Sequence, residues 1–184
     1  AQAERYYRVM YYGGPESWNL RDGHMFQTLQ RVLRARGADG RPARAVVWAH
    51  NSHVGDASAT EMGARGEFNI GQLCREHFGS EVYSIGFGTD RGAVAAATHW
   101  GGAMEIKRVR PSDPRSYERV CHETGIPRFL VGLRAEGELR AGLIEPRIER
   151  AIGVIYRPET EIASHYFAAH LPRQFDEYAW FDES

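Results

Sequence analysis

The sequence predicts an α/β protein of three layers, with a largely parallel central sheet flanked by helices and antiparallel strands at an edge. Two observations lead there. Short runs rich in β-branched and aromatic residues (Ala45–Ala49, Glu81–Phe87, Phe129–Leu133, Ala151–Tyr156) have the length and composition of strands. Stretches with apolar residues at three- and four-residue spacing stand between them, and strands alternating with helices imply parallel pairing. The strand-rich second half adds the antiparallel expectation.

In chain order, residues 2–12 place Tyr6, Val9 and Met10 at helical spacing until Gly13-Gly14-Pro15 stops the pattern. A helix from Asn19 to Arg36 follows, with Met25, Leu29, Val32 and Leu33 on one face. Ser17 or Asn19 can cap it, and Arg21 and Asp22 lie in its first turn. Gly37–Arg44 reads as a loop, and Ala45–Ala49 as a buried strand. Ala57–Gly66 is small and polar, a loop or a short broken helix. A helix from Asn69 to Phe78 ends at Gly79. Ala93–Thr98 and Glu105–Val109 read as further strands, Ser116–Glu123 as a helix, and Phe175–Phe181 as an edge strand.

With 184 residues, 42% hydrophobic and 26% charged, the chain has the make-up of one globular domain that can bury a sizeable core. Its formal charge of -1, with Arg spread among Asp and Glu and Lys107 as the lone Lys, argues against a nucleic-acid surface. No run approaches the roughly 20 apolar residues of a bilayer span, and no secretory leader is legible. Cys74 and Cys121 fall inside expected helices without short-range partners, which points to reduced thiols and a cytoplasmic location. The chain lacks an initiator Met and starts as if within a helix, so a longer polypeptide with an N-terminal half before Ala1 is expected.

The chemistry concentrates where the first strand empties into His50-Asn51-Ser52-His53-Val54-Gly55-Asp56. Ligand crevices of open α/β sheets lie at such strand ends. Neutral imidazole is suited to moving protons near pH 7. One of His50 and His53 can activate water or a hydroxyl while the other polarises a carbonyl. The plain alternative is that both hydrogen-bond loop backbone. A metal is the third reading, but a zinc site needs three or four ligands, and nothing in the sequence fixes Asp56 or Glu61 as the others. Arg21 and Asp22 suit a helix start on dipole grounds alone, and Glu67 suits the cap of the Asn69 helix. The glycines at 86, 88 and 92 lack the spacing of a phosphate loop and read as turns. His165, a short turn after an expected strand, can reach the same crevice.

Five segments resemble the erythromycin esterase family. They are Ser17-Trp18-Asn19-Leu20-Arg21-Asp22 with Met25, Trp48 to Asp56, Asn69-Ile70-Gly71-Gln72-Leu73, Ile85-Gly86-Phe87-Gly88-Thr89, and Arg150 to Pro158. The resemblance runs from about Tyr6 to the C-terminus and marks residues 1–184 as the C-terminal portion of the family domain. It implies hydrolysis of a macrolide lactone or related ester by activated water, without a metal, cofactor or serine nucleophile. His50 and His53 match the His pair in the second half of the family domain and are the expected catalytic residues. Arg21, Asp22, Asn51, Asp56, Glu67 and His165 are expected to bind substrate or support them. A further His and acidic partners are implied in the N-terminal half, which has no counterpart here, so that half is the expected partner beside a small-molecule ester. Macrolide resistance is one role this implies. A metal-dependent hydrolase, or a small-molecule-binding or biosynthetic module without turnover, are the alternatives.

Overall fold

The computed structural model describes residues 4, 7, 9, 14–34, 40, 41 and 43–184. The helix expected over residues 2–12 and the loop Gly37–Arg44 lie largely outside the described residues. Helix α1, Pro15–Arg34, opens with Pro at its first position and Glu16 in its first turn, and closes with Arg31 and Arg34, so both ends complement the helix dipole. Short helices α2 (Asn51–Val54) and α3 (Glu61–Ala64) lead to α4 (Ile70–Phe78), capped by Asn69 and ended by Gly79. Strands β1 (Ile85–Ala96) and β2 (Glu105–Val109), helix α5 (Tyr117–Glu123) and strand β3 (Arg128–Gly132) follow. Then come α6 (Glu138–Gly142), β4 (Arg147–Arg150), α7 (Glu161–Ser164), β5 (Tyr166–Ala169), α8 (Leu171–Gln174) and β6 (Glu177–Glu183).

The architecture is mixed α/β, and here the expectation of a largely parallel sheet is corrected. The main sheet runs β2-β1-β6-β3, and only β1 and β6 are parallel. A second sheet pairs β4 with β5, antiparallel. The reason is length: a parallel pair needs a crossover of a dozen or more residues, usually a helix. Most helices after α4 are single turns, and the link between β1 and β2 suits a hairpin. Glu177–Glu183 is no edge strand either, because it inserts between β1 and β3. The expected strand Ala93–Thr98 is the second half of β1. Residues Ile85 to Arg91 pair with β6, and from Gly92 onward the strand pairs with β2. Gly92 adopts φ 143° at that change of partner, beside Ser184.

Ala45–Ala49 forms no ladder among the described residues. It is exposed, with Val46 at 91% and Trp48 at 87% accessibility. An apolar run becomes a buried strand only where a neighbour supplies ladder bonds and a layer covers it, and these residues have neither. Ala151–Tyr156 likewise leaves the sheet after β4, making one parallel bridge from Ile155 to Ala97.

The core lies on one face of the sheet. Tyr178 and Trp180 of β6 point into it with Phe175, Tyr117, Leu133 and Leu171, all essentially without exposure. Gly86 and Gly88 on the adjacent strand leave room for Phe175 and Tyr178, since a Cβ at Gly88 would meet the Tyr178 hydroxyl. The opposite face of the same strands leaves Ile85, Phe87, Leu130 and Phe181 exposed. No described helix is long and apolar enough to cross a membrane. Cys74 and Cys121 are buried free thiols, raised to about 11 and about 12 by burial.

Candidate functional site

The site is assembled at the junction of α1, α2 and α4. Asn19 of α1 donates to the Gly66 carbonyl and accepts from the Phe68 amide, which fixes the helix against the segment entering α4. One turn apart on α1, Trp18 and Asp22 therefore face α2. Asp22 is fully buried. Its carboxylate accepts the Nδ1 proton of His53, at 2.8 and 3.0 Å to its two oxygens, and the Ile70 amide at 3.4 Å, one of the orphan donors that open α4. Trp18 stacks on His53 with ring centroids 4.4 Å apart and planes 3° from parallel. Arg21 lies over the far side of this stack, its guanidinium carbon 4.8 Å from the Trp18 centroid.

The carboxylate determines the tautomer. With Nδ1 donating to Asp22, neutral His53 carries its free lone pair on Nε2. That atom makes no hydrogen bond to any described residue, and 19% of the side chain is open to solvent. His53 is thus oriented by a buried anion and stacked against an indole.

His50 is arranged differently. It caps α2, its Nδ1 accepting from the Ser52 amide, while Nε2 donates to the Ile152 carbonyl at 3.0 Å. Both nitrogens are engaged although the residue as a whole is exposed. Desolvation of the ring and the nearby His53 hold its pKa below the ordinary imidazole value, against the Ile152 hydrogen bond, which raises it. Asn51 pairs with β1 as a peptide would: Nδ2 donates to the Phe87 carbonyl at 2.7 Å and Oδ1 accepts the Phe87 amide at 3.1 Å. Its second amide hydrogen reaches Glu149 Oε1 at 3.3 Å. His50, Asn51 and Trp48 line an open groove of about 1970 Å³, with Ile85, Phe87 and Ile152 further along it.

The structure thus brings together His53, Asp22 and Arg21, with His50 and Asn51 beside them. Asp56 lies apart and caps the following 3-10 turn, accepting from the Ser58 amide and hydroxyl. Glu61 accepts the Ala168 amide and pairs with Arg65, so the two carboxylates considered as metal ligands are both engaged elsewhere. Glu67 is half-buried between α3 and α4. His165 is buried, with Nε2 accepting the Arg157 amide, and its pKa is lowered by that burial. Among the described residues, the side chains close enough to share a cation are Asp90, His122 and Asp182. Arg91 and Arg119 already lie within ion-pair reach of Asp90 there, and Arg91 within reach of Asp182.

Sequence reasoning missed two members of the site. Trp18 carried the signal of standing three and four residues before Arg21 and Asp22, on the same helical face. Glu149 carried none, since a Glu-Arg pair in a charged run reads as surface.

The unit is mixed α/β and holds a carboxylate-oriented histidine in the short helix whose cap His50 and residues Asn51 and Val54 line a wide groove. The erythromycin esterase family model matches residues 1–184, and the chain belongs to that family. Solved structures share the fold. One is a protein from Bacillus cereus, 18% identical at TM-score 0.74, with 97% of this chain and 42% of that one covered. A succinoglycan biosynthesis protein is 19% identical at TM-score 0.73, over 92% of this chain and 39% of that one. A His-to-Asn variant of the erythromycin esterase EreC in its open conformation is 14% identical at TM-score 0.56, over 96% of this chain and 40% of that one. The chain spans about two fifths of the length of these structures.

Proposed function

We propose that this chain carries part of the active site of an ester hydrolase, acting on a macrolide lactone or a related ester through proton transfer at His53. The observation behind this reading is the Asp22–His53 pair, with Nε2 left open beneath a stacked indole. Water adds to the ester carbonyl as its proton passes to an imidazole. The tetrahedral intermediate then expels the alkoxide, which takes a proton from an imidazolium. Asp22 fixes the tautomer and balances the charge that forms on His53. His50 holds the turn carrying His53 and faces the groove. Residues outside these 184 complete the site, supplying a second base and the rest of the substrate pocket.

The test uses the longest natural polypeptide that contains these residues. Incubation with erythromycin, followed by mass spectrometry with and without a chelator, should show addition of one water in both cases. Turnover abolished by the chelator and restored by metal would overturn the metal-free route. Binding without turnover of erythromycin or of simple esters would overturn the hydrolase reading in favour of a binding or biosynthetic module.

A further inference from the structure

Beneath α2 lies a polar group that the proposed chemistry does not use. Glu149, in β4, is fully buried, and so is Glu118 of α5 at 2% accessibility. Glu118 Oε1 accepts the Arg150 amide at 2.8 Å. The Arg150 guanidinium donates to the Tyr166 hydroxyl and the Asp90 carbonyl and lies 3.4 Å from Glu161, with Nη2 unpartnered, and among the described residues no cation forms an ion pair with Glu149. Glu149 Oε1 accepts from Asn51, while Glu149 Oε2, Glu118 Oε2 and Gln174 Oε1 are buried without a hydrogen-bond partner. The Tyr178 hydroxyl and Arg150 Nη2 are buried and unpartnered as well, and a proton on Glu149 Oε2 turns that atom from an orphaned acceptor into a donor.

We propose that Glu149, as a neutral carboxylic acid, is a positioning residue that locks Asn51, and with it the His53-bearing helix α2, onto β1. Asn51 bridges Phe87 of β1 and Glu149 of β4. It satisfies both backbone groups of Phe87 on the side of β1 facing away from β6, and it reaches Glu149 with its remaining hydrogen. Two residues later in the same single turn stands His53. A four-residue helix has little rigidity of its own, so the direction of Nε2 depends on what fixes its first residue. The inference rests on the reading of His53 as the proton-transfer group.

The charge environment supports the neutral form. The groups facing Glu149 are Glu118 and Tyr117 from α5, Tyr178 from β6, the Gln174 amide from α8 and Asn51 from α2. Burial, then the like charge of Glu118, push the Glu149 carboxyl up to about 8, with the amides of Gln174 and Asn51 opposing. Ionisation above that pH places negative charge in a dry site beside Glu118, whose own carboxyl is also pushed up by burial, and this draws in water and loosens the lock.

The experiment compares the natural polypeptide with its Glu149→Gln and Glu149→Ala forms. Its first readout is the pH profile of ester turnover. Wild type should lose kcat as pH rises through about 8 with KM little changed. Glu149→Gln, neutral at every pH and still able to accept from Asn51, should keep the neutral-pH kcat and remove the alkaline fall. Glu149→Ala should lower kcat by roughly 10- to 100-fold at all pH, the order of a small misplacement of a reacting group. An alkaline fall that persists unshifted in Glu149→Gln overturns the proposal. The second readout needs no turnover: amide exchange at Phe87, whose proton is held by Asn51. Exchange that is slow in wild type and Glu149→Gln but faster in Glu149→Ala supports the lock even if no ester is hydrolysed, in which case the hydrolase reading alone falls. Equal exchange in all three overturns the lock.

Discussion

At the scale of single residues the two imidazoles three positions apart have separable duties. His53 has its Nδ1 on Asp22 and its Nε2 open, whereas His50 spends both nitrogens on backbone. Asp22→Asn keeps the shape of a fully buried side chain but can offer an amide hydrogen to Nδ1, which favours the wrong tautomer. Turnover should fall by about two to four orders of magnitude while the unfolding midpoint moves little, the pattern seen when an orienting carboxylate is neutralised. Steady-state kinetics beside a urea melt checks both. His53→Asn, whose amide can still donate to the buried Asp22 carboxylate, should likewise remove turnover with little loss of stability. His50→Ala should lower both, since it deletes a helix cap worth about 1 kcal/mol; equal melts for the two variants would contradict the division of roles. Glu149 adds a pH signature. Its carboxyl has an ordinary value of 4.5 and a folded value raised to about 8, so between these the folded state holds a proton that the unfolded chain has released. Its stabilising contribution is complete below the lower value and is lost as pH rises through the window, with a slope approaching about 1.4 kcal/mol per pH unit for one proton. Glu149→Gln should flatten that slope in denaturant melts taken from pH 5 to 9.

At the scale of elements, the site depends on how closely two helices can meet. Gly71, in the first turn of α4, sits against the end of α2: a Cβ there would lie 2.4 Å from the carbonyl oxygens of both Val54 and Gly55. Both obstacles are backbone, so Gly71→Ala has to separate α4 from α2. The expected cost is about 1–3 kcal/mol, as for other forced overpacking. Because Asp22 binds the Ile70 amide on one side and His53 on the other, turnover should fall further than the lost stability explains. A variant with unchanged melt and unchanged kcat would show that the two helices are not rigidly coupled. The helices themselves were legible in the sequence. Periodicity with the Asn69 cap and the Gly79 stop located α4, and Ser116 marked the start of α5, because these signals act over a few residues. The strand expected to lead into His50 and His53 did not form among the described residues, because whether Ala45–Ala49 joins a sheet depends on a neighbour that its own composition does not specify. Sheet order was not legible, since the position of β6 between β1 and β3 depends on contacts across about ninety residues of sequence separation to β1 and about fifty to β3. Glu149 was hidden for a related reason: burial of a carboxyl is decided by the elements that close over it, and its own neighbours in the chain look solvated.

At the scale of the whole molecule, the two faces of the main sheet are unequal. One carries Tyr178 and Trp180 into a closed core, and the other leaves Ile85, Phe87, Leu130 and Phe181 open, with Trp48 tilted against Phe87 at 6.1 Å between ring centroids. Residues Ile85 to Arg91 pair with β6 on one side only, and among the described residues the other edge is closed only in part, by Asn51 at Phe87, Arg150 at the Asp90 carbonyl and Ser184 at the Arg91 carbonyl. Contiguous apolar surface beside an open strand edge drives association in water. Produced by themselves, these 184 residues should therefore bind a hydrophobic dye and self-associate in sedimentation velocity as concentration rises. The double substitution Phe87→Glu and Leu130→Glu, placed on the open face where neither side chain supports the core, should suppress both signals without lowering the unfolding midpoint. The same substitutions in a longer polypeptide that covers this face should be destabilising, because each would then bury an unpaired carboxylate. A change of sign between the two contexts would identify the face as an internal packing surface. Destabilisation already in the 184-residue chain would instead mean that this face contributes to its core.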